Sequence, residues 1–221
     1  MQKLFYTLAL LLAAILLFSS CKREEEEKDL TLITDEGVYI GEIDDEPIRW
    51  ATRNLNTPGT FARYPHSSGG FFQWGTLDGE THHFDNTTTI SPDEWHGDAT
   101  ARDRVAWTVT SDPCPPGWRV PTRAELTALR NAGVSAMTEL GGVPGRFFGT
   151  EPNRIFLPAS GFRRSNDGAL SNVGIVGSFW SNDEGDTAFS WSLFFSSVSI
   201  RIEAEWRSNG DSVRCVAKRT E

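Results

Sequence analysis

Toward the C-terminus, hydrophobic and polar positions alternate one for one. Phe189, Trp191, Leu193 and Phe195 fall on one parity, and Ser190, Ser192 and Ser196 on the other. Val198, Ile200, Ile202, Ala204 and Trp206 repeat the pattern against Ser199, Arg201, Glu203 and Glu205. A period of two with one polar side predicts antiparallel strands, apolar face to the core and serine face to water. Asn209-Gly210 predicts a tight turn before Val213-Arg214-Cys215-Val216. Two earlier stretches carry the same signal. Val38–Ile43 and Pro47–Trp50 flank the acidic turn Asp44-Asp45-Glu46, and 146–149 and 154–158 flank Thr150-Glu151-Pro152-Asn153. Both read as hairpins.

The pattern changes after Asp112-Pro113-Cys114-Pro115-Pro116-Gly117-Trp118-Arg119-Val120-Pro121. The prolines hold that stretch extended, and Thr122 followed by Glu125 has the spacing of a capping box. Leu126 and Leu129 give the helix an apolar face, and Gly133 is suited to end it. Residues 60–110 show no sustained period and read as long loops with short strands. They include Phe71-Phe72-Gln73-Trp74-Gly75 and all 4 histidines: His66, His82, His83 and His96. Together these elements predict an α+β fold, mostly antiparallel sheet and long loops with one or two short helices.

The N-terminus adds an address. Lys3, the apolar block Leu4–Phe18 and Ser19-Ser20-Cys21 have the order of a secretory signal. The block runs about 15 residues, short of the roughly 20 that span a membrane. Cleavage before Cys21 makes a bacterial lipoprotein with its lipid on that cysteine. Phe18 departs from the aliphatic residue usual three places earlier, so the class is firmer than the cut. Glu24 to Glu27 cannot bury side by side, which makes residues 21–36 a solvated tether. Such an acidic stretch after the lipidated cysteine resembles the surface-export signal of some Gram-negative outer-membrane lipoproteins; a periplasmic spacer is the plainer alternative.

Without residues 1–20 the chain has 20 basic and 30 acidic residues, net −10. With no basic cluster interleaved with aromatics, nucleic acid is not an expected partner. Residues 37–219 suffice for one domain with a sizeable core, supplied by 8 tryptophans and 12 of the chain's 14 phenylalanines. Cys114 and Cys215 remain once Cys21 is lipidated, and an even count in an oxidising compartment reads as one disulfide.

Six motifs then stand in one order: Trp50–Leu55, Gly70–Gly75, Asp112–Thr122, Leu157–Arg163, Phe179–Ser181 and Ser212–Val216. Over residues 38–217 they resemble the Fibrobacter succinogenes major paralogous domain, with the Cys114–Thr122 block the most specific part. Residues 76–106 match nothing in that family, and Ser181-Asn182-Asp183 departs from its usual serine/threonine run. The resemblance implies a C-type-lectin-like fold, related in shape to formylglycine-generating enzymes. It also implies a bacterial surface or secreted protein without established catalytic residues. Fold alone does not give function.

No nucleophile elbow and no His-Glu-x-x-His occurs, and the cysteines are better used as a disulfide, so neither an enzyme nor a cofactor is expected. The histidines, with Asp85, Asp93 and Glu94, match no standard metal spacing. Glu151-Pro152-Asn153 and Trp180-Ser181-Asn182-Asp183 resemble the calcium-ligating triplets of sugar-binding lectins, but the second is one residue too long, and a hairpin turn explains the first. Trp118 and Trp180 are expected in the core, whereas Trp74, Trp95 and Trp107 offer either sugar-stacking faces or buried anchors. A lipid-anchored binding or adhesion module follows, its ligand a glycan or a surface protein. A structural part of a surface appendage is the alternative, and an enzyme with an unrecognised site a weaker one. Long loops on a rigid scaffold carry binding residues. Ligand contact is therefore expected in the excursion from Phe61 to Asp103 and the acidic loop 182–186, at Trp74, His82, His83, Trp95, His96, Asp183 and Asp186.

Overall fold

The computed structural model describes residues 35–86, 90–91 and 93–219. The stretch expected to be a secretory leader, Cys21 and the expected tether through residue 34 lie outside the described residues. Asp35, assigned to the tether by its sequence context, is buried with the domain. Its carboxylate accepts hydrogen bonds from the Thr52 amide at 2.8 Å and the Thr52 hydroxyl at 2.9 Å.

Helix α1 (Arg123–Asn131) starts as its sequence predicts. Thr122 Oγ1 accepts from the Glu125 amide at 3.2 Å, and a Glu125 carboxylate oxygen accepts from the Thr122 amide at 2.8 Å. Leu126 and Leu129 are buried beneath it, and the chain leaves through Gly133 at φ +107°. A 3₁₀ turn at Asp98–Thr100 is the other helical piece among the described residues.

The remaining elements are strands, taken in chain order. β1 (Val38–Ile43) and β2 (Glu46–Trp50) form the first hairpin, with Asp44 and Asp45 at positive φ in its turn. β3 (Leu55–Thr57) pairs with β4 (Thr60–Phe61), and β5 (Phe71–Gln73) with β6 (His83–Phe84). β7 (Trp118–Arg119) precedes α1. β8 (Thr138–Leu140), β9 (Val143–Thr150) and β10 (Asn153–Pro158) make one sheet, its second hairpin turning at Glu151-Pro152. After β11 (Phe162–Arg163) and β12 (Leu170–Ser171), the strands β13 (Gly177–Glu184), β14 (Phe189–Phe195) and β15 (Ile200–Trp206) form a three-stranded meander. β16 (Gly210–Asp211) enters the sheet β12-β11-β16-β5-β6, and β17 (Val216–Ala217) the sheet β1-β2-β17-β7. The described residues are thus mostly antiparallel β-sheet with one short helix and a 3₁₀ turn.

Two cores result. One lies under α1 and joins Ile40, Trp50, Leu129, Phe148, Leu193 and Phe195. The other gathers Phe72, Trp74, Trp107, Trp118, Trp180 and Val213 around the Cys114–Cys215 disulfide, whose Cα atoms are 6.1 Å apart. The indoles enter the interior with partners. Trp74 Nε1 donates to the Ser181 carbonyl at 2.8 Å and Trp180 Nε1 to that of Phe72 at 2.7 Å.

The meander departs from its simple alternation. Leu193 and Phe195 are buried, but so are Ser190 and Ser192, both 0% exposed. The serine face does not meet water, because β16 lies against it. Ser178, on β13, donates to the Asp211 carboxylate at 2.6 Å. β15 ends its sheet and Trp206 on it is exposed although its parity is apolar, Val198 is exposed because it lies in the turn before β15, and Glu203 and Glu205 are half-buried.

Candidate functional site

The excursion from Phe61 to Asp103 is closed at its base by a bridge between Thr76 and Val105. Thr76 N donates to Val105 O at 2.8 Å, and Val105 N to Thr76 O at 3.0 Å. Gly75 makes this closure possible. Its φ is +66°, and a Cβ there would sit 2.1 Å from the Val105 carbonyl oxygen.

Of the residues expected to meet ligand, the two tryptophans lie in the interior. Trp74 is 0% exposed and Trp95 7% exposed, so neither offers an open stacking face. Trp95 packs on Phe84 with ring centroids 5.0 Å apart, and its Nε1 donates to Ser165 O at 2.8 Å. Gly168, at φ +68°, leaves room for that indole; a Cβ there would come within 2.7 Å of the ring. Trp107 is likewise interior. Each of these indoles has deep apolar surroundings and a carbonyl or hydroxyl within reach, which is what a buried anchor requires.

The histidines remain at or near the surface. His82 and His96 are brought together with ring centroids 4.1 Å apart, both partly exposed. His83 is exposed and packs against Phe72, while His66 is apart from them, stacked on Tyr64. Beneath the imidazole pair, β5 supplies Gln73. Its Nε2 donates to His96 O at 2.7 Å and Ser208 O at 2.8 Å, and its Oε1 accepts from Arg104 Nη2 at 2.6 Å. Arg104 is 1% exposed. Burial pulls its proton affinity down to about 10, so it stays charged at neutral pH. His82 is held down to about 4, first by burial and then by the positive fields of His96 and Arg104, and is neutral at pH 7.

The acidic loop is tied to this cluster from one side. Arg207 Nη1 donates to Arg104 O at 2.8 Å, its Nη2 donates to Asp186 O at 3.3 Å, and its guanidinium lies 4.5 Å from the Trp74 ring centroid. The Asp186 side chain itself is exposed. Asp183 instead serves the helix, its carboxylate accepting from the Arg123 amide at 2.6 Å. Asn182 is engaged with the Trp107 backbone in both directions, at 3.0 and 2.8 Å. Glu151 pairs with Arg154. The oxygens of the two lectin-like triplets are thus spread over separate tasks. Among the described residues, no group of three or more histidine, cysteine, aspartate or glutamate side chains is arranged to hold a metal ion.

Gln73, Arg104 and Arg207 escape a reading of the sequence, because each sits singly among aromatics or loop residues. The available signal is a polar residue inside an apolar run, as Gln73 stands between Phe72 and Trp74. A second titratable group gathers on the far side of the meander. Glu205 is pushed up to about 7 by burial and by Glu203, and Asp211, fully buried, is raised well above the usual carboxylate range by burial and by Glu205.

Comparison with family models, with curated proteins and with solved structures finds no match to this chain.

Proposed function

We propose that the chain is a lipid-anchored binding module of the bacterial surface, with its ligand-facing part in the 61–103 excursion. Its fold is taken as C-type-lectin-like, in keeping with the resemblance to the Fibrobacter succinogenes major paralogous domain. The observation that carries the binding reading is the His82–His96 pair, partly exposed and resting on the buried polar cluster of Gln73 and Arg104. The neighbouring tryptophans are committed to packing, so hydrogen bonding and charge, rather than ring stacking, recognise the ligand. Cys21 is available for the anchor because Cys114 and Cys215 are paired.

A surface-appendage subunit is the second reading, favoured by β15. It ends its sheet, with Trp206 38% exposed, and an open strand edge is a template for pairing with another chain.

A glycan array probed with the full-length protein tests the first reading, together with palmitate labelling of wild type and Cys21→Ser. Saturable retention of a glycan class, and lipid labelling lost in the variant, are expected. Filament formation without glycan retention favours the appendage instead.

A further inference from the structure

We propose that Arg104 is the floor of an anion-binding subsite, taking one oxyanion group, a sulfate or carboxylate, that is free or carried by an acidic sugar. This inference rests on the excursion being the ligand-facing part of the molecule. Arg104 Nη2 is occupied by Gln73, but Nε and Nη1 are buried and have no hydrogen-bond partner. Among the described residues no carboxylate lies within ion-pairing distance of it; the ion pairs involve the arginines at 53, 119, 154, 163, 164, 201 and 207. A buried cation without a counter-charge is costly unless something negative completes it.

Arg214 shows what a purely structural guanidinium looks like in this fold. It is also 0% exposed, yet all three of its nitrogens are used. Nε and Nη2 donate to Asn54 Oδ1 at 2.9 and 2.7 Å, Nη1 to Ala51 O at 3.1 Å, and Nη2 also to Phe156 O at 2.9 Å. Arg104 has one nitrogen satisfied where Arg214 has three.

The surroundings of Arg104 fit the same chemistry. His82 Nδ1 is a third buried atom without a partner, in a ring close enough to feel the Arg104 charge. His96 adds its imidazole, and Glu80, two residues before His82, acts on it in the opposite sense. Ser208 and Asp98 satisfy each other at 3.1 Å and are not spare. An anion enters past the partly exposed His82 ring, gains the two free guanidinium nitrogens as charge-assisted donors, and offsets the Arg104 charge that adds to burial in keeping His82 neutral.

Thermal melts of the full-length protein test this with sodium sulfate against sodium chloride at equal ionic strength, and with sodium glucuronate against glucose. Wild type is expected to show a saturable rise in Tm of about 5–10 °C at a hundredfold excess over the dissociation constant. Arg104→Gln is expected to lose the saturable part. The general stabilisation by sulfate, which does not saturate, is the same in both. A saturable response to glucuronate but not glucose assigns the group to an acidic sugar, and one to sulfate alone assigns it to a free anion. Equal curves for wild type and Arg104→Gln overturn the proposal. If Arg104→Gln does not fold, the His82 imidazole of wild type is titrated by NMR with and without sulfate. Its midpoint is expected to move up from about 4, and an unmoved midpoint overturns the subsite. Anion binding without glycan retention would reject the surface-binding reading and leave the subsite standing.

Discussion

Glu205 is the residue whose burial has the clearest consequence in solution. Its pKa rises from the ordinary carboxylate value to about 7, through burial first and Glu203 second, while Arg201 and Asn209 act the other way. Below the unfolded value both states hold the proton. As pH climbs toward 7 the unfolded chain loses it while the folded chain keeps it, so stability falls, and the full penalty is present above 7. Asp211 shifts in the same direction. His82 acts oppositely between about 4 and 6.5, since its folded form binds the proton less well. Comparing Glu205→Gln with wild type isolates the one group. The difference in Tm should be near zero at pH 4.5 and increasingly favour the variant up to pH 8. A difference that stays flat would remove Glu205 as the titrating group. None of this was legible in the sequence, where Glu205 stands on the polar parity of an alternating strand. The groups it meets, Asn209 and Asp211, come from the turn after its strand and from β16.

At the scale of elements, what is set locally was readable. The capping box needs only Thr122 and Glu125, and the β1–β2 hairpin only two short runs and the acidic pair between them. Thr122→Ala should lower stability by about 1 kcal/mol, read as a Tm drop of roughly 2–4 °C. An unchanged Tm would mean that Arg119, which pairs with Glu125 at 2.6 Å, holds that helix start without the cap. What depends on distant chain was misread. Ser190 and Ser192 follow a perfect alternation, but an alternation names two faces without saying what covers each. The second cover, β16, follows β15 in the chain and lies against β13, where Asp211 meets Ser178, and turns the expected wet face into interior. The indoles of the excursion show the same limit. Trp95 lies in a polar stretch, and it is Ser165 and Gly168, some 70 positions on, that receive it.

For the molecule as a whole, the disulfide is a long covalent constraint, closing 101 positions between the segment before β7 and the residue ahead of β17. Cross-linking a loop of that size is worth on the order of 4–5 kcal/mol in the chain-entropy account, a large part of the 5–15 kcal/mol typical of a domain. It was readable from the cysteine count once Cys21 was set aside for the lipid. With the scaffold fixed in this way, the excursion can carry histidines at its surface while Trp74 anchors it to the second core and Trp95 packs on Phe84. Binding and stability should therefore separate by residue. The most direct measurement is a paired one on the full-length His83→Ala/His96→Ala variant: retention on the glycan array and Tm in the same preparation. Retention should fall at least tenfold, about 1.4 kcal/mol of binding, with Tm within about 2 °C of wild type, as for surface substitutions. Undiminished retention at unchanged Tm would contradict a ligand face in this excursion.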